Sequence, residues 1–381
     1  MGEAEKCYSE EKKFLYLLGC ALNEREPQKE MVEDYVWPLM WNMSVCNNVE
    51  AIVWQGIKSL KDIIPTDLYK KWEEAAKKTL YRQLIFDAER TLIVDKMNKE
   101  DVDWLPLKGI NIQQMYPKPG MRYMCDNDIL YREQKIEKDQ EGKVVEAIMT
   151  KCGFRKEGVG GNHDVYQKKP ILNFELHKDL VPTSAFAYQY YKDPWEKAVK
   201  NEDSSNGYHF KIEDEYIFMI VHSYKHYKGS GCGVRILTDE YVFLKEKGTK
   251  MNWKYIQDEL QKIGIEEYEQ ELRMLAVNVF KNGEQLTSKA KEMIHYLVSN
   301  GTYGTLETKI KNKIEVIENK NKKLIYVRER ILLSELEMKE YYPFFYKHRL
   351  LRACLPVVRL LKGMIKHPFK LYKEMIILRK M

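Results

Sequence analysis

The stretch WLPLKGINIQQMYPKPGMRYMCDNDILY, residues 104–131, constrains the fold more than any other part of this 381-residue sequence. Its first residues, Trp104 to Leu107, are apolar and have the length of a buried strand end. The pair Lys108-Gly109 predicts a tight turn, because a glycine without Cβ lets the backbone turn sharply and approach a ligand closely. A short helix from Ile110 to Met115 and a second strand from Met124 to Tyr131 complete the predicted unit.

The polar residues of this unit suit a nucleoside triphosphate. A helix that begins directly after a turn points free N–H groups at it, and Lys108 adds positive charge there, so phosphate can bind. Asp126 and Asp128 alternate along the second strand and therefore lie on one face. Magnesium prefers one or two carboxylates together with substrate phosphates. The alternative is that both aspartates are ordinary charges at a strand edge.

The segment from Leu105 to Leu130 resembles the uncharacterised nucleotidyltransferase family of the DNA polymerase β-like nucleotidyltransferase superfamily. The family pattern is an apolar strand, Lys-Gly, a short helix, an arginine (here Arg122) and Asp-x-Asp followed by an apolar residue. The resemblance implies that the glycine turn holds the triphosphate, that both aspartates bind metal, and that a later strand adds a third carboxylate. The chain departs from the usual pattern in having Asn127 between the aspartates and Lys-Gly in place of Gly-Ser or Gly-Gly. Neither departure removes a metal ligand.

The run from Ile171 to His177 alternates polar and apolar residues, which predicts a half-buried strand. If this strand lies beside the aspartate strand, Glu175 becomes the third carboxylate, and the resembling family has an acid, an apolar residue and His here. Such an acid can take the proton from an attacking hydroxyl and help to bind the metal. His177 faces the same way and can touch a phosphate or the acceptor. The alternatives are a surface charge at Glu175 and no role in the site for His177.

Two pairs of residues spaced four apart follow in a helical region. His222 and His226 share a helix face and can bind zinc, but no Glu follows His222 as in H-E-x-x-H, so contact with the nucleotide or the acceptor is the preferred interpretation. Arg235 and Asp239 predict a helix salt bridge, slightly favoured over contact of Arg235 with the triphosphate. Similar proteins carry a His and an apolar-Arg-x-x-x-Asp pattern in this region.

Helical patterns surround the strands. They occupy Glu10 to Lys99, Glu133 to Cys152 with Gly153 as the stop, and the chain from Pro182 onward. The run GVGGNH predicts a hairpin turn and not a phosphate loop, because no helix follows it. We therefore expect an α+β protein in which a small mixed β-sheet forms a nucleotidyltransferase core between helical regions. The predicted divisions are a helical region at 1–99, the core at 100–180, a helical domain at 181–300, and a linker with basic amphipathic helices at 301–381.

The C-terminal segment differs in composition from the rest. From Tyr342 onward ten lysines and arginines accompany one acidic residue, Glu374, and alternate with aliphatic side chains. Such a segment can pack on the core or dock on a partner, which is the preferred interpretation, or it can lie on an anionic membrane or bind nucleic acid.

Composition indicates a cytoplasmic protein, peripheral to a membrane if the basic segment lies on one. The seven cysteines are odd in number, scattered and without C-x-x-C, which argues against a disulfide set. The N-terminus MGEAEKCYSEEKK lacks the apolar core of a signal peptide, and no apolar run is long enough to span a bilayer. A net charge of +6 permits nucleic-acid binding without requiring it.

The predicted reaction moves a nucleoside monophosphate from an NTP, ATP by default, to a small-molecule, protein or RNA acceptor and releases pyrophosphate. Magnesium is the expected metal, with manganese as a substitute. The predicted catalytic and metal-binding residues are Asp126, Asp128 and Glu175, and the predicted nucleotide contacts are Lys108, Gly109, Arg122, His177 and Arg235. The alternatives are a nucleotide-sugar glycosyltransferase that uses D-x-D and a non-catalytic nucleotide-binding protein. Against the glycosyltransferase, no long alternation of strands and helices precedes the D-x-D.

Overall fold

The computed structural model of the chain describes residues 3–134, 140–283, 286–366 and 368–381. The helices, in chain order, are α1 (Glu3–Leu22), α2 (Trp37–Asn47), α3 (Glu50–Ile57), α4 (Thr66–Lys99), α5 (Gly109–Ile112), α6 (Lys143–Lys151), α7 (Ile212–Lys228), α8 (Arg235–Lys247), α9 (Trp253–Ile263), α10 (Glu266–Val277), α11 (Ser288–Asn300), α12 (Leu306–Glu315), α13 (Lys322–Ile331), α14 (Glu335–Tyr341), α15 (Pro343–Lys347), α16 (Leu355–Lys366) and α17 (Pro368–Lys380). The strands are β1 (Val102–Pro106), β2 (Asn127–Glu133), β3 (Arg155–Gly160), β4 (His163–Lys168), β5 (Leu172–His177), β6 (Ala198–Lys200) and β7 (Tyr208–Phe210). The predicted α+β class is confirmed.

The main sheet has the order β1-β2-β5-β4-β3. β2 and β5 run parallel, and the other neighbours are antiparallel, so the sheet is mixed. Asp128 lies directly opposite Glu175 in the β2–β5 register, which confirms that the aspartate strand and the glutamate strand are neighbours. The hairpin predicted across the glycine-rich run is also confirmed, since Gly160 of β3 pairs with His163 of β4.

Strand β2 begins at Asn127, later than the predicted start at Met124, so Asp126 is the residue just before the strand. The cause lies on α4, where the Arg82 guanidinium donates to the backbone carbonyls of Met124 at 2.5 Å and of Cys125 at 2.8 Å. Those carbonyls are therefore engaged by a side chain and not by a neighbouring strand.

The helix predicted from Glu133 to Cys152 is shorter. Strand β2 extends to Glu133, the helix is Lys143–Lys151, and residues 135–139 of the prediction lie outside the described residues. The Glu133 carboxylate accepts hydrogen bonds from the backbone N–H groups of Gly142 and Val145 at 3.0 and 2.9 Å, so this strand residue caps the helix. Gly153 adopts a φ of 81° after the last turn, which confirms it as the helix stop.

Helix α4 joins two hydrophobic cores. Its N-terminal half places Leu68 and Trp72 in the core of the helical body. Its C-terminal half places Phe86, Ile93 and Met97 in the core beneath the sheet, with Phe86 stacked on Phe174 of β5 at 6.1 Å between ring centroids. These three residues follow at intervals of seven and four, so they share one helix face.

Between Pro182 and Ile212 the chain forms one short 3₁₀ helix, Pro194–Lys197, and no α-helix, contrary to the prediction. Residues 198–210 instead form the two-stranded ribbon β6–β7. The ribbon lies against the edge of the main sheet, because the Trp104 N–H donates to the Asn206 carbonyl at 2.9 Å. Its strands have three residues each, which is too short for alternation of polar and apolar residues to identify them.

The C-terminal helices form a small cluster of their own. Ile310 and Ile314 of α12 pack with Tyr326 of α13, and Ile377 and Leu378 of α17 cover them. Within the described residues, no helix is both long enough and apolar enough to cross a lipid bilayer.

Candidate active site

A cavity of about 330 Å³ opens where the carboxyl end of β5 meets the residues that lead into β2. The sheet supplies its polar floor, and helices α7 and α8 supply the opposite wall. All eight residues predicted to form the site line this cavity. They are Lys108, Gly109, Arg122, Asp126, Asp128, Glu175, His177 and Arg235.

The unusual backbone conformation of the Lys108-Gly109 turn lies at Lys108, whereas the prediction placed it at Gly109. Lys108 adopts a φ of 51°, a left-handed conformation that a lysine rarely takes, whereas Gly109 is needed for space. A Cβ on Gly109 would lie 2.5 Å from Nη1 of Arg122. The Lys108 ammonium donates to Oδ1 of Asp128 at 2.6 Å. Although burial disfavours the charged lysine, Asp128 raises the pKa of Lys108 above its ordinary value.

Arg122 is fixed behind this turn by a residue of α8. Its Nε and Nη2 donate to the two carboxylate oxygens of Asp239 at 2.7 and 2.8 Å, and the Tyr116 hydroxyl donates to the same carboxylate at 2.8 Å. The predicted salt bridge between Arg235 and Asp239 is therefore wrong, because the planar guanidinium of Arg122 occupies both oxygens. Arg235 instead donates to the Tyr123 carbonyl at 3.2 Å and lines the cavity.

Three carboxylates, those of Asp126, Asp128 and Glu175, line the cavity, and their surroundings differ. Burial and, after it, the Asp128 and Glu175 carboxylates raise the pKa of Asp126 to about 6. Burial alone would raise the pKa of Asp128, but Lys108 and His177 outweigh it and hold this pKa well below its ordinary value. Among the described residues, no group donates a hydrogen bond to Asp126. Lys108 and Arg235 offset the negative charge of Asp126 only in part, so a bound cation would relieve its repulsion from Asp128 and Glu175.

His177 is 3% exposed and supports Asp128. Its Nε2 lies 2.8 Å from Oδ1 of Asp128, and its Nδ1 lies 3.3 Å from the amide nitrogen of Asn162. An amide donor at Nδ1 favours the tautomer in which Nε2 carries the proton and donates to the aspartate. His177 thus holds the carboxylate of Asp128 in place from inside the sheet.

His163 belongs to the same cluster and was missed by the sequence analysis. It pairs with His177 across β4 and β5, with 4.8 Å between ring centroids. The Nε2 atoms of both histidines lie 3.6 Å from Oε2 of Glu175. The sequence did offer one indication, because His163 directly follows the predicted hairpin turn. The register between that hairpin and the neighbouring strand then determines which residue lies opposite His163.

The opposite wall carries His222 and His226 of α7, whose rings lie 4.6 Å apart. Burial, followed by Lys108 and His226, lowers the pKa of His222 well below its ordinary value. Burial and then Lys225 and Lys108 lower the pKa of His226 to about 4. Both imidazoles are therefore neutral at neutral pH and can accept hydrogen bonds from a bound ligand.

The cavity offers the kinds of donor atom that divalent cations bind. Asp126, Asp128 and Glu175 offer carboxylate oxygens, which Mg²⁺ prefers. Among the described residues, one set of three potential ligands, His163, Glu175 and His177, has donor atoms that all lie within 4.8 Å of one another. Imidazole ligands suit Zn²⁺, Fe²⁺ and Ni²⁺, whereas carboxylate ligands suit Mg²⁺ and Mn²⁺.

A family model described as an uncharacterised nucleotidyltransferase matches residues 33–281, which is more than half of the chain. The chain belongs to this nucleotidyltransferase family. No curated protein and no solved structure matches it.

In this member of the nucleotidyltransferase family, the match covers all of the described residues that line the cavity except Thr302 and Tyr303. The Tyr303 hydroxyl lies 2.8 Å from Sγ of Cys125, beside the aspartate loop. The unusual Asn127 also has a partner, because Arg90 of α4 donates to its side-chain oxygen at 2.7 Å. Arg82, Arg90 and Tyr303 position the aspartate segment from distant parts of the chain, so no local pattern identifies them.

Proposed function

We propose that this chain transfers a nucleoside monophosphate from an NTP to a hydroxyl group of an acceptor and releases pyrophosphate. The observation that carries the proposal is the convergence of the Asp126, Asp128 and Glu175 carboxylates with Lys108 in one cavity. Membership of a nucleotidyltransferase family supports the same reaction class. The high pKa of Asp126, about 6, agrees with a site adapted to a cation that is bound together with substrate.

Asp126, Asp128 and Glu175 would hold the metal, Mg²⁺ or Mn²⁺. A bound divalent ion supplies charge neutralisation at the transferring phosphoryl group. His163 and His177 lie close enough to Glu175 to orient its carboxylate. Mn²⁺ would be a suitable substitute, because carboxylate ligands bind it as well as Mg²⁺.

The remaining residues of the cavity would act on the two substrates. The acceptor oxygen forms a bond to the α-phosphorus, the bond from that phosphorus to the bridging oxygen of the β-phosphate breaks, and pyrophosphate leaves. The Glu175 carboxylate takes the acceptor proton. Lys108 and Arg235 supply positive charge for the leaving phosphates, and Arg122 acts indirectly by fixing the Lys108-Gly109 turn.

The decisive experiment incubates the protein with each of the four α-³²P-labelled NTPs, Mg²⁺ or Mn²⁺, and a cell extract, and follows which molecules acquire label. A parallel incubation with labelled UDP-sugars tests the glycosyltransferase alternative. Label transfer from an NTP supports the proposal. Transfer from UDP-sugars alone, or nucleotide binding without turnover under all conditions, contradicts it.

Asp128→Asn should lower label transfer on the order of 10²–10³-fold, because the site loses a carboxylate that would bind the metal, and with it charge stabilisation of the reacting phosphoryl group. Its matched control is Asp164→Asn. Asp164 is also a buried strand aspartate with a lysine partner, Lys156 at 3.0 Å, but it does not line the cavity. A thermal melt of both variants separates loss of chemistry from loss of fold. Asp126→Asn, which breaks no ion pair, should also abolish transfer, and unchanged activity in both cavity variants would refute the assignment.

A further inference from the structure

Helix α16 has its apolar face turned away from the rest of the protein. Six of its aliphatic side chains are between 40% and 80% exposed. They are Val357, Val358, Leu360, Leu361, Met364 and Ile365. At 3.6 residues per turn these six lie within an arc of about 160°. An amphipathic helix of a soluble protein normally buries such a face against the core.

The side of α16 that faces the chain is the polar one. Arg359 lies opposite the apolar arc, and its Nη1 donates to the Ile331 carbonyl at 2.8 Å. Its guanidinium also lies over the Tyr342 ring, 5.9 Å from the centroid. Leu355, at the start of the helix on the same side, is 2% exposed. The helix is thus docked through its Leu355 and Arg359 side, which leaves the aliphatic face for another surface.

The exposed charged side chains of α16 and α17 are positive. Between residues 342 and 381 the one acidic residue is Glu374, and it is 5% exposed. Its carboxylate accepts hydrogen bonds from the Tyr326 hydroxyl at 2.6 Å and from Nε of Arg330 at 3.3 Å. Five lysines and arginines of α16 and α17 are exposed, namely Lys362, Lys370, Lys373, Arg379 and Lys380.

We propose that the α16–α17 face, defined by the exposed aliphatic arc of α16 and these exposed cations, lies on an anionic phospholipid bilayer. A bilayer interface takes aliphatic side chains into the acyl boundary and attracts lysine and arginine to its headgroups. Nucleic acid offers negative charge but no apolar layer for a side chain such as Ile365. A second copy of the chain would bring the same positive charge against the first, which repels it.

The test mixes the full-length protein with sedimentable vesicles of phosphatidylcholine alone or of phosphatidylcholine with phosphatidylserine, at low and high salt. We expect binding to the anionic vesicles that weakens with salt. Ile365→Glu should weaken this binding about tenfold or more, because burial of one isoleucine contributes at least that factor. The matched control is Leu92→Glu on α4, which replaces a 54% exposed leucine and makes the same change in charge. Both sites are exposed, and thermal melts check that both variants fold.

Several results would overturn the proposal. One is absence of binding to anionic vesicles, and another is binding that Ile365→Glu and Leu92→Glu weaken equally. Capture of RNA or DNA without capture of vesicles would assign the face to nucleic acid. Self-association that Ile365→Glu abolishes, again without vesicle binding, would assign it to a second copy of the chain. None of these measurements uses an NTP, so their outcome is independent of the proposed reaction.

Discussion

Tyr216 has one hydroxyl proton but lies between two buried carboxyl groups. Its oxygen is 2.6 Å from Oε1 of Glu240 and 2.7 Å from Oε1 of Glu269. Glu269 also accepts a charge-assisted hydrogen bond from Nε of Arg273 at 2.7 Å. One hydroxyl proton serves one acceptor, so the second short contact requires a proton on Glu240. In agreement, burial raises the pKa of Glu240 to about 8.

This group makes stability depend on pH. The folded protein holds the Glu240 proton up to about pH 8, whereas an unfolded glutamate loses it near its ordinary pKa of 4.5. The stabilisation that protonated Glu240 gives the folded protein is therefore complete below pH 4.5 and is lost as the pH rises through 8. Glu240→Gln keeps the hydrogen bonds without the charge. It should stabilise the protein by a few kcal/mol at pH 9 and by almost nothing at pH 5, at about 1.4 kcal/mol per pKa unit.

The measurement is the free energy of unfolding in denaturant at both pH values. The exposed Glu267→Gln on α10 is the control for removal of one charge, and it should not change the pH dependence. An equal effect of Glu240→Gln at pH 5 and pH 9 would mean that Glu240 is ionised throughout.

At the scale of elements, the turn between β1 and α5 is locked to α8 by side chains. Gly109 leaves space for Arg122, and Asp239 holds Arg122 in that space. Gly109→Ala would place a methyl group 2.5 Å from a guanidinium that cannot move aside. We expect it to cost about 1–3 kcal/mol of stability, as other overpacked sites do, and to lower nucleotidyl transfer by shifting the turn.

A double-mutant cycle distinguishes this contact from a general effect of alanine. In an Arg122→Ala background, the added cost of Gly109→Ala should fall by more than about 1 kcal/mol, because residues in direct contact do not contribute additively. Gly158→Ala on β3 is the control, since its Cβ would meet nothing within 4 Å. If the effects of Gly109→Ala and Arg122→Ala on the free energy of unfolding were additive, the proposed contact between the two positions would be contradicted.

Alternation and turn residues predicted the central elements, and together with the family resemblance they predicted eight of the residues that line the cavity. Alternation identified the strands that carry Asp128 and Glu175, but that the two strands are neighbours was only implied by the family resemblance until the register was known. The partner of Asp239 could not be predicted, because Arg122 is 117 positions away and Arg235 offered a nearer alternative. The ribbon β6–β7 was missed because its strands are too short to show a period, and His163 was missed because its role depends on strand register.

At the scale of the whole molecule, α4 ties the sheet to the helical body. Phe86, Ile93 and Met97 lie on α4 and are at most 1% exposed beneath the sheet. A fragment of residues 100–180 lacks all three. We expect it to unfold without a cooperative transition, whereas a fragment of residues 66–180 should regain one, because loss of each large core side chain costs about 2–5 kcal/mol.

Circular dichroism during thermal unfolding of the two fragments makes this comparison. Cooperative unfolding of residues 100–180 alone would instead favour the predicted domain boundary at residue 99. The full-length chain, measured alongside, gives the reference transition.

The Gly109–Arg122–Asp239 arrangement also bears on how the family can diverge. A side chain at position 109 is compatible with the turn only after position 122 has become smaller, and a smaller residue there leaves a buried acid at 239 without its cation. Relatives that have lost the glycine should therefore have lost the arginine and the aspartate as well. The three positions should change together across an alignment, although more than a hundred residues separate the first two from the third.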